Sequence, residues 1–171
     1  MTPSILREVF EHNAWANLRL IDYCLGLTPA QLETPIPGTY GSIFATIRHF
    51  LQGDSFYLFV ASNHWEESAD ASTMSLRELR ALAERDAAGW TELLDGDPDP
   101  SAMKRELDDD GYQRDAPISV RLAQAIHHAN EHRTQVCTTL TVLGLDPPDL
   151  SVWEFALVTG KSTDTYVGQQ P

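Results

Sequence analysis

Cysteine is scarce in this chain: two among 171 residues, at positions 24 and 137, with no C-x-x-C spacing. That spacing excludes a zinc knuckle and a dithiol redox motif, and both cysteines fall inside helical patterns, where they read as small buried hydrophobes of a reducing cytosol. Long apolar runs are missing too. No stretch approaches the roughly 18 uncharged apolar residues of a membrane span, and Arg7, Glu8, Glu11, Arg19 and Asp22 interrupt the N-terminal stretch where an export signal needs an apolar core. A cytoplasmic location is the expectation. Bases are few as well: 12 Lys and Arg against 25 Asp and Glu give a net charge of −13. That field repels phosphate backbones and anionic membranes, so neither nucleic acid nor a membrane is expected as a partner.

What is present is 42% hydrophobic residues in a chain of ordinary single-domain length, enough to bury most of its apolar surface. Leu6, Val9, Asn13, Ala16, Leu20, Tyr23 and Leu27 step by three and four, which predicts a first helix from Ser4 to Leu27. Thr28-Pro29 and Pro35-Ile36-Pro37-Gly38 predict a loop, since proline removes donors and fixes φ. Ser42 caps the next helix, whose apolar face is Ile43, Ile47, Phe50, Leu51, Tyr57 and Leu58 and which fades near Asn63. Ser75 and Glu78 stand at capping-box spacing before a third helix that runs to about Asp95. The segment from Met103 to Pro117 alternates weakly about Asp-Gly, compatible with a short hairpin. A last long helix from Ile118 to Leu143 ends at Gly144, and "SVWEFALVT" fits a short fifth helix. Four long amphipathic helices bury their faces most simply in an all-α four-helix bundle, here with long crossover connections. Residues 1–160 are expected to form one bundle domain and 161–171 a tail, mobile or pinned to another surface.

Three of the six histidines fall within "AIHHANEHRTQV", Ala125 to Val136. The spine of the last long helix steps through 118, 122, 125, 129, 136, 140 and 143 and leaves a slot at 132, which His132 fills. His128 lies one turn earlier on nearly the same face, so the two rings can share a divalent ion; the bland alternative is a pair of core or solvated histidines. His127 points about 100° away from His128. A third ligand must come from elsewhere. His64 sits where the second helix frays, facing solvent, and helical pattern alone does not choose between His12 and His49. Arg121 and Gln124 project on the side of the histidine pair, as substrate-positioning groups or as solvated neighbours. Asp54 falls on the apolar stripe of the second long helix, either to orient a ligand imidazole or to face solvent.

"NAWANLRL", "YGSIFATIRHF", "HANEHRTQV" and "LGLDPPDLS", in that order, resemble the DinB-like family of bacterial four-helix metalloproteins. The resemblance spans about Phe10 to Ser151. It implies a three-histidine metal site: His49 matches the ligand of the second long helix, His128 and His132 the H-x-x-x-H pair, and Arg133 and Gln135 the flanking Arg and Gln. Thr134 stands where glycine is usual and Glu131 where many members have another histidine.

Three imidazoles on a divalent ion such as zinc, nickel or iron leave a coordination position open, as in catalytic rather than structural sites. Family members of known activity use low-molecular-weight thiols such as bacillithiol or mycothiol. The resemblance therefore implies a metal-dependent thiol S-transferase, or a related isomerase, acting on a small electrophile. The alternative class is a protein that binds metal without catalysis, for stability, sensing or interaction. A di-iron carboxylate centre is set aside, since the chain has no Glu-x-x-His. Trp65, Trp90 and Trp153 offer more aromatic surface than one bundle needs, and related proteins often pair, so a homodimer is expected.

Overall fold

The computed structural model describes residues 4–64, 68–107, 111–166 and 168. Four long helices, α1 (Ile5–Cys24), α3 (Ile43–Ser62), α4 (Leu76–Asp95) and α5 (Ile118–Val142), carry the fold. Two short helices, α2 (Pro29–Glu33) and α6 (Val152–Val158), accompany them, with a hairpin of β1 (Met103–Leu107) and β2 (Gln113–Pro117) between α4 and α5.

Local chemistry starts most of these helices. The Ser42 hydroxyl accepts the Ala45 N–H at 3.1 Å, and Ser75 and Glu78 close a reciprocal capping box on α4, each satisfying N–H groups the helix itself leaves unpaired. Helix α2 departs from the loop expected between Thr28 and Gly38. Thr28 and Gln31 form a second capping box and Pro29 occupies the first turn, where its missing N–H costs nothing and its fixed φ suits the helix.

Helix α1 packs on α4 and α5, and α3 packs on the same two. Helices consecutive in this list, α1 and α3, therefore lie across the bundle from each other, as do α4 and α5. Residues 25–42 and 96–117 are the crossover connections this order demands, and the second of them folds into the hairpin. Antiparallel pairing runs from Met103 opposite Pro117 to Leu107 opposite Gln113.

Leu20, Ile21, Ile43, Ile47, Phe50, Leu51, Leu79 and Leu140 fill the core at one end of the bundle, and Phe10, Leu58, Trp90, Ile118 and Leu122 at the other. Two expectations change here. Leu6 and Val9 are exposed and Phe10 is buried in their place, because the first turns of α1 meet α4 through a Phe10–Trp90 ring contact at 4.7 Å. Trp90 is thus core rather than surface, with its indole N–H donated to Asp54. Trp153 is exposed as expected, and Trp65 lies outside the described residues. In the tail, Lys161 reaches Glu8 at 2.7 Å and Glu11 at 2.6 Å, pinning its start to α1. No helix among the described residues is long and apolar enough to cross a membrane.

Candidate metal centre

His49 stands two turns into α3 and faces α5, the helix on which α3 packs most extensively. His128 and His132 stand one turn apart on α5. One ring nitrogen from each of the three lies within 4.8 Å of the others. The Nε2 atoms of His49 and His128 are 3.2 Å apart, close to the roughly 3.3 Å between two nitrogens that share a tetrahedral ion at ~2.0–2.1 Å. The His132 ring meets each of the other two with centroids 4.6 Å apart.

Neighbouring groups fix these rings. The Tyr40 N–H donates to Gln135 Oε1 at 3.0 Å, so the atom presented there is the amide oxygen. The same oxygen lies 3.1 Å from His132 Nδ1, which must then carry the hydrogen. That tautomer leaves the Nε2 lone pair of His132 available to a cation. Tyr40 also stacks on His49, with centroids 3.9 Å apart and planes within 13°. Under His128, Gly53 provides the room: a Cβ there would come 2.6 Å from His128 Cε1.

Burial lowers the proton affinity of two of the rings. Burial, then the nearby His132, His49 and His127, push the His128 imidazole down to about 4. Burial, followed by His132, also lowers His49. Neutral rings present lone pairs with no proton to displace. His128 Nδ1 is buried without a hydrogen-bond partner, so nothing polar rewards that ring's burial except what its other nitrogen binds. Three converging imidazoles, a glycine cradle and an oriented tautomer fit a divalent transition metal.

The remaining sequence candidates go elsewhere. His12 Nε2 meets the Leu150 carbonyl at 2.8 Å, and its ring packs edge-on against Phe155. It therefore anchors the segment after α5 and stands apart from the cluster that His49 forms with His128 and His132. His127 is exposed near Glu131, and His64 is exposed at the end of α3. Asp54 is buried, but it neither faces solvent nor meets a ligand imidazole; it accepts the Trp90 indole N–H at 3.2 Å, because its place on α3 turns it toward α4. Arg121 is not a solvated neighbour either: it is buried in an ion pair with Glu106 of the hairpin, and donates to the carbonyls of Lys104 and Arg114.

Sequence reasoning missed Tyr40 and Gly53 and gave Gln135 no physical role. Tyr40 lies in a loop with no periodicity to read, and a glycine inside a helix signals close approach without naming the approaching group.

Two concavities bear on the site. The larger, of about 1020 Å3, lies between α1, the end of α4 and Lys161. It contains none of the three histidines, and its Arg7 and Lys161 both pair with its Glu11. A smaller one of about 300 Å3 lies between the hairpin, α3 and α5, lined by Tyr57 and Gln124 among others. Tyr57 borders the metal centre, edge-on to His128 with centroids 5.7 Å apart.

No protein in the curated comparison matches the chain. A family profile, described as the DinB family, matches residues 1–163. A match over nearly the whole length, on a helical bundle with histidines from α3 and α5 converging, means that the chain belongs to the DinB family.

Proposed function

We propose that His49, His128 and His132 hold a divalent metal ion, zinc, nickel or iron, and that the protein uses it to transfer a low-molecular-weight thiol to a small electrophile or to catalyse a related isomerisation. The observation that carries this reading is the convergence of three imidazole nitrogens within 4.8 Å from two helices packed against each other in the bundle. A bound cation would supply Lewis acidity, lowering the pKa of a thiol or water enough to make a nucleophile near neutral pH.

The chain's own residues supply the rest. Gln135 holds His132 in the tautomer that presents Nε2. Tyr40 covers the outer face of His49 and limits solvent there. The cavity lined by Tyr57 and Gln124, whose Tyr57 ring meets His128 edge-on, offers room for a substrate one side chain away from the histidines, which supports an enzyme over a purely structural metal site.

Elemental analysis of freshly purified protein beside a His132→Ala variant tests the metal. Roughly one equivalent in the parent, falling several-fold in the variant, is expected. Equal metal content in the two would remove the centre from the reading. With metal established, turnover of small electrophiles with a panel of thiols tests the chemistry, and no thiol-dependent turnover across that panel would favour the non-catalytic class.

A further inference from the structure

Each of the three imidazoles needs something to fix its plane, because the second side-chain torsion of histidine has a broad minimum and does not set the ring by itself. Metal-binding histidines are usually held by a hydrogen bond from the ring nitrogen that faces away from the ion. His132 follows that rule, since its Nδ1 meets Gln135 Oε1 at 3.1 Å. His128 is held by packing instead, over Gly53 and edge-on to Tyr57.

His49 has neither device. Its Nε2 is the nitrogen turned toward His128, at 3.2 Å, and its Nδ1 has no hydrogen-bond partner among the described residues. What lies against this ring is Tyr40, with centroids 3.9 Å apart and planes within 13°. The phenol is therefore flat on one imidazole face at van der Waals distance, and turning the His49 ring would drive its edge into the phenol. Tyr40 also stands edge-on to His132, with centroids 5.5 Å apart, at the corner between the α3 histidine and one of the α5 pair.

A turn holds the phenol there. Gly38 adopts a φ of 88°, which glycine reaches without steric cost. The Thr39 hydroxyl lies within hydrogen-bond distance of the Ile36 and Gly41 carbonyls, and the Tyr40 N–H donates to Gln135 Oε1. All of these contacts spare the Tyr40 side chain, which is 53% exposed and whose hydroxyl has no partner among the described residues. Its ring is the part in use. An imidazole that shares its lone pair with a cation becomes electron-poor, and the negative face of a phenol attracts such a group lying over it. The stack therefore favours the loaded ring over the bare one.

We propose that Tyr40 is the positioning residue of His49: its ring, stacked on the imidazole, takes the place of the hydrogen bond that orients His132, and so sets the plane in which His49 presents Nε2 to the ion. The role in metal binding rests on the three-histidine reading; the hold on the His49 ring does not.

Tyr40→Phe keeps the stacking ring and Tyr40→Ala removes it, while both keep the backbone N–H that meets Gln135. Ring order is read in metal-free protein from carbon-13 relaxation of labelled histidines. In Tyr40→Ala the order parameter of the His49 ring should fall by about a third, from the rigid to the flexible range, with those of His128 and His132 unchanged. Cobalt(II) affinity, followed by its visible absorption, should fall about tenfold in Tyr40→Ala and stay within about twofold of the parent in Tyr40→Phe. A His49 ring as ordered in Tyr40→Ala as in the parent would overturn the assignment. So would unchanged cobalt affinity in that variant, or a Tyr40→Phe protein that behaves as Tyr40→Ala does. If the parent takes up no cobalt, the metal reading falls, and the comparison of ring order alone decides whether Tyr40 holds His49.

Discussion

At the residue scale the proposed centre depends on a few contacts that set how the rings are held, beyond the three histidines themselves. Gln135 is the clearest case, because one oxygen receives both the Tyr40 N–H and His132 Nδ1. Gln135→Leu keeps the helix but frees the imidazole to turn or change tautomer. Metal affinity is expected to fall by about 10- to 100-fold with the unfolding midpoint of the metal-free protein little changed, measured by competition with a chromophoric chelator; unchanged affinity would remove Gln135 from the site. Gly53→Ala probes the cradle. Its new Cβ would meet His128 Cε1 at 2.6 Å, while alanine gains up to ~1 kcal/mol of helix propensity over glycine. Stability should therefore move by less than that figure while metal affinity drops at least several-fold, a split that a merely destabilising substitution does not give. Of this site, the sequence alone exposed the pair on α5, because His132 fills a leucine's slot in a regular spine. Helical pattern could not choose His49 over His12, since both lie on inward faces of long helices; the family resemblance pointed to His49. What separates them is the Leu150 carbonyl that captures His12, a contact between positions 138 residues apart that no local pattern encodes.

At the element scale, the long helices were legible because their starts are written in short-range chemistry: Ser42, Ser75 with Glu78, and the return of apolar residues every three or four positions. The hairpin showed only faintly, as its strands have little apolar alternation to read. Its purpose was hidden entirely. Glu106 of β1 reaches the buried Arg121 one turn into α5, so the hairpin is tied to the bundle by an ion pair from which water is excluded. Removing one member of such a pair leaves the other charge buried and uncompensated, which costs about 3–5 kcal/mol. Glu106→Ala should lose stability on that scale in urea denaturation. Replacing both partners, Glu106→Leu with Arg121→Met, should recover most of the loss, because burying a matched ion pair is itself expensive. A loss in the double variant equal to that in the single one would show that the hairpin is held by something else.

Over the whole molecule, a polar layer crosses the bundle and draws on all four long helices. Arg133 of α5 donates to Asn13 and Asn17 of α1 at 2.5 and 2.6 Å, while Asp54 of α3 accepts from Trp90 of α4 and Asp86 of α4 is held by Arg85. Asn13 reads in sequence as the one polar member of an apolar stripe, and Arg133 as a residue flanking the histidine pair. Only the helix order, with α1 and α3 on opposite sides, brings them into one layer. Burial, then the neighbouring Asp86, push the Asp54 carboxyl up to about 7, and burial pushes Asp86 up to about 6 against the pull of Arg85. Arg133, pushed down by burial only to about 10, stays charged at neutral pH and favours ionised Asp54 without offsetting its desolvation. Both carboxyls thus bind protons more tightly in the folded chain than in the unfolded one. The stability they contribute is complete below about pH 4 and is lost as pH rises through about 6 and 7. Asp54→Asn keeps an acceptor for the Trp90 indole and removes the titration. Between pH 5 and pH 8 the parent should lose on the order of a few kcal/mol more than this variant, read from urea midpoints at each pH. Asp86 leaves the variant some residual slope, but parallel profiles for the two proteins would mean that Asp54 is ionised in the folded bundle throughout, and that Arg133 outweighs its burial.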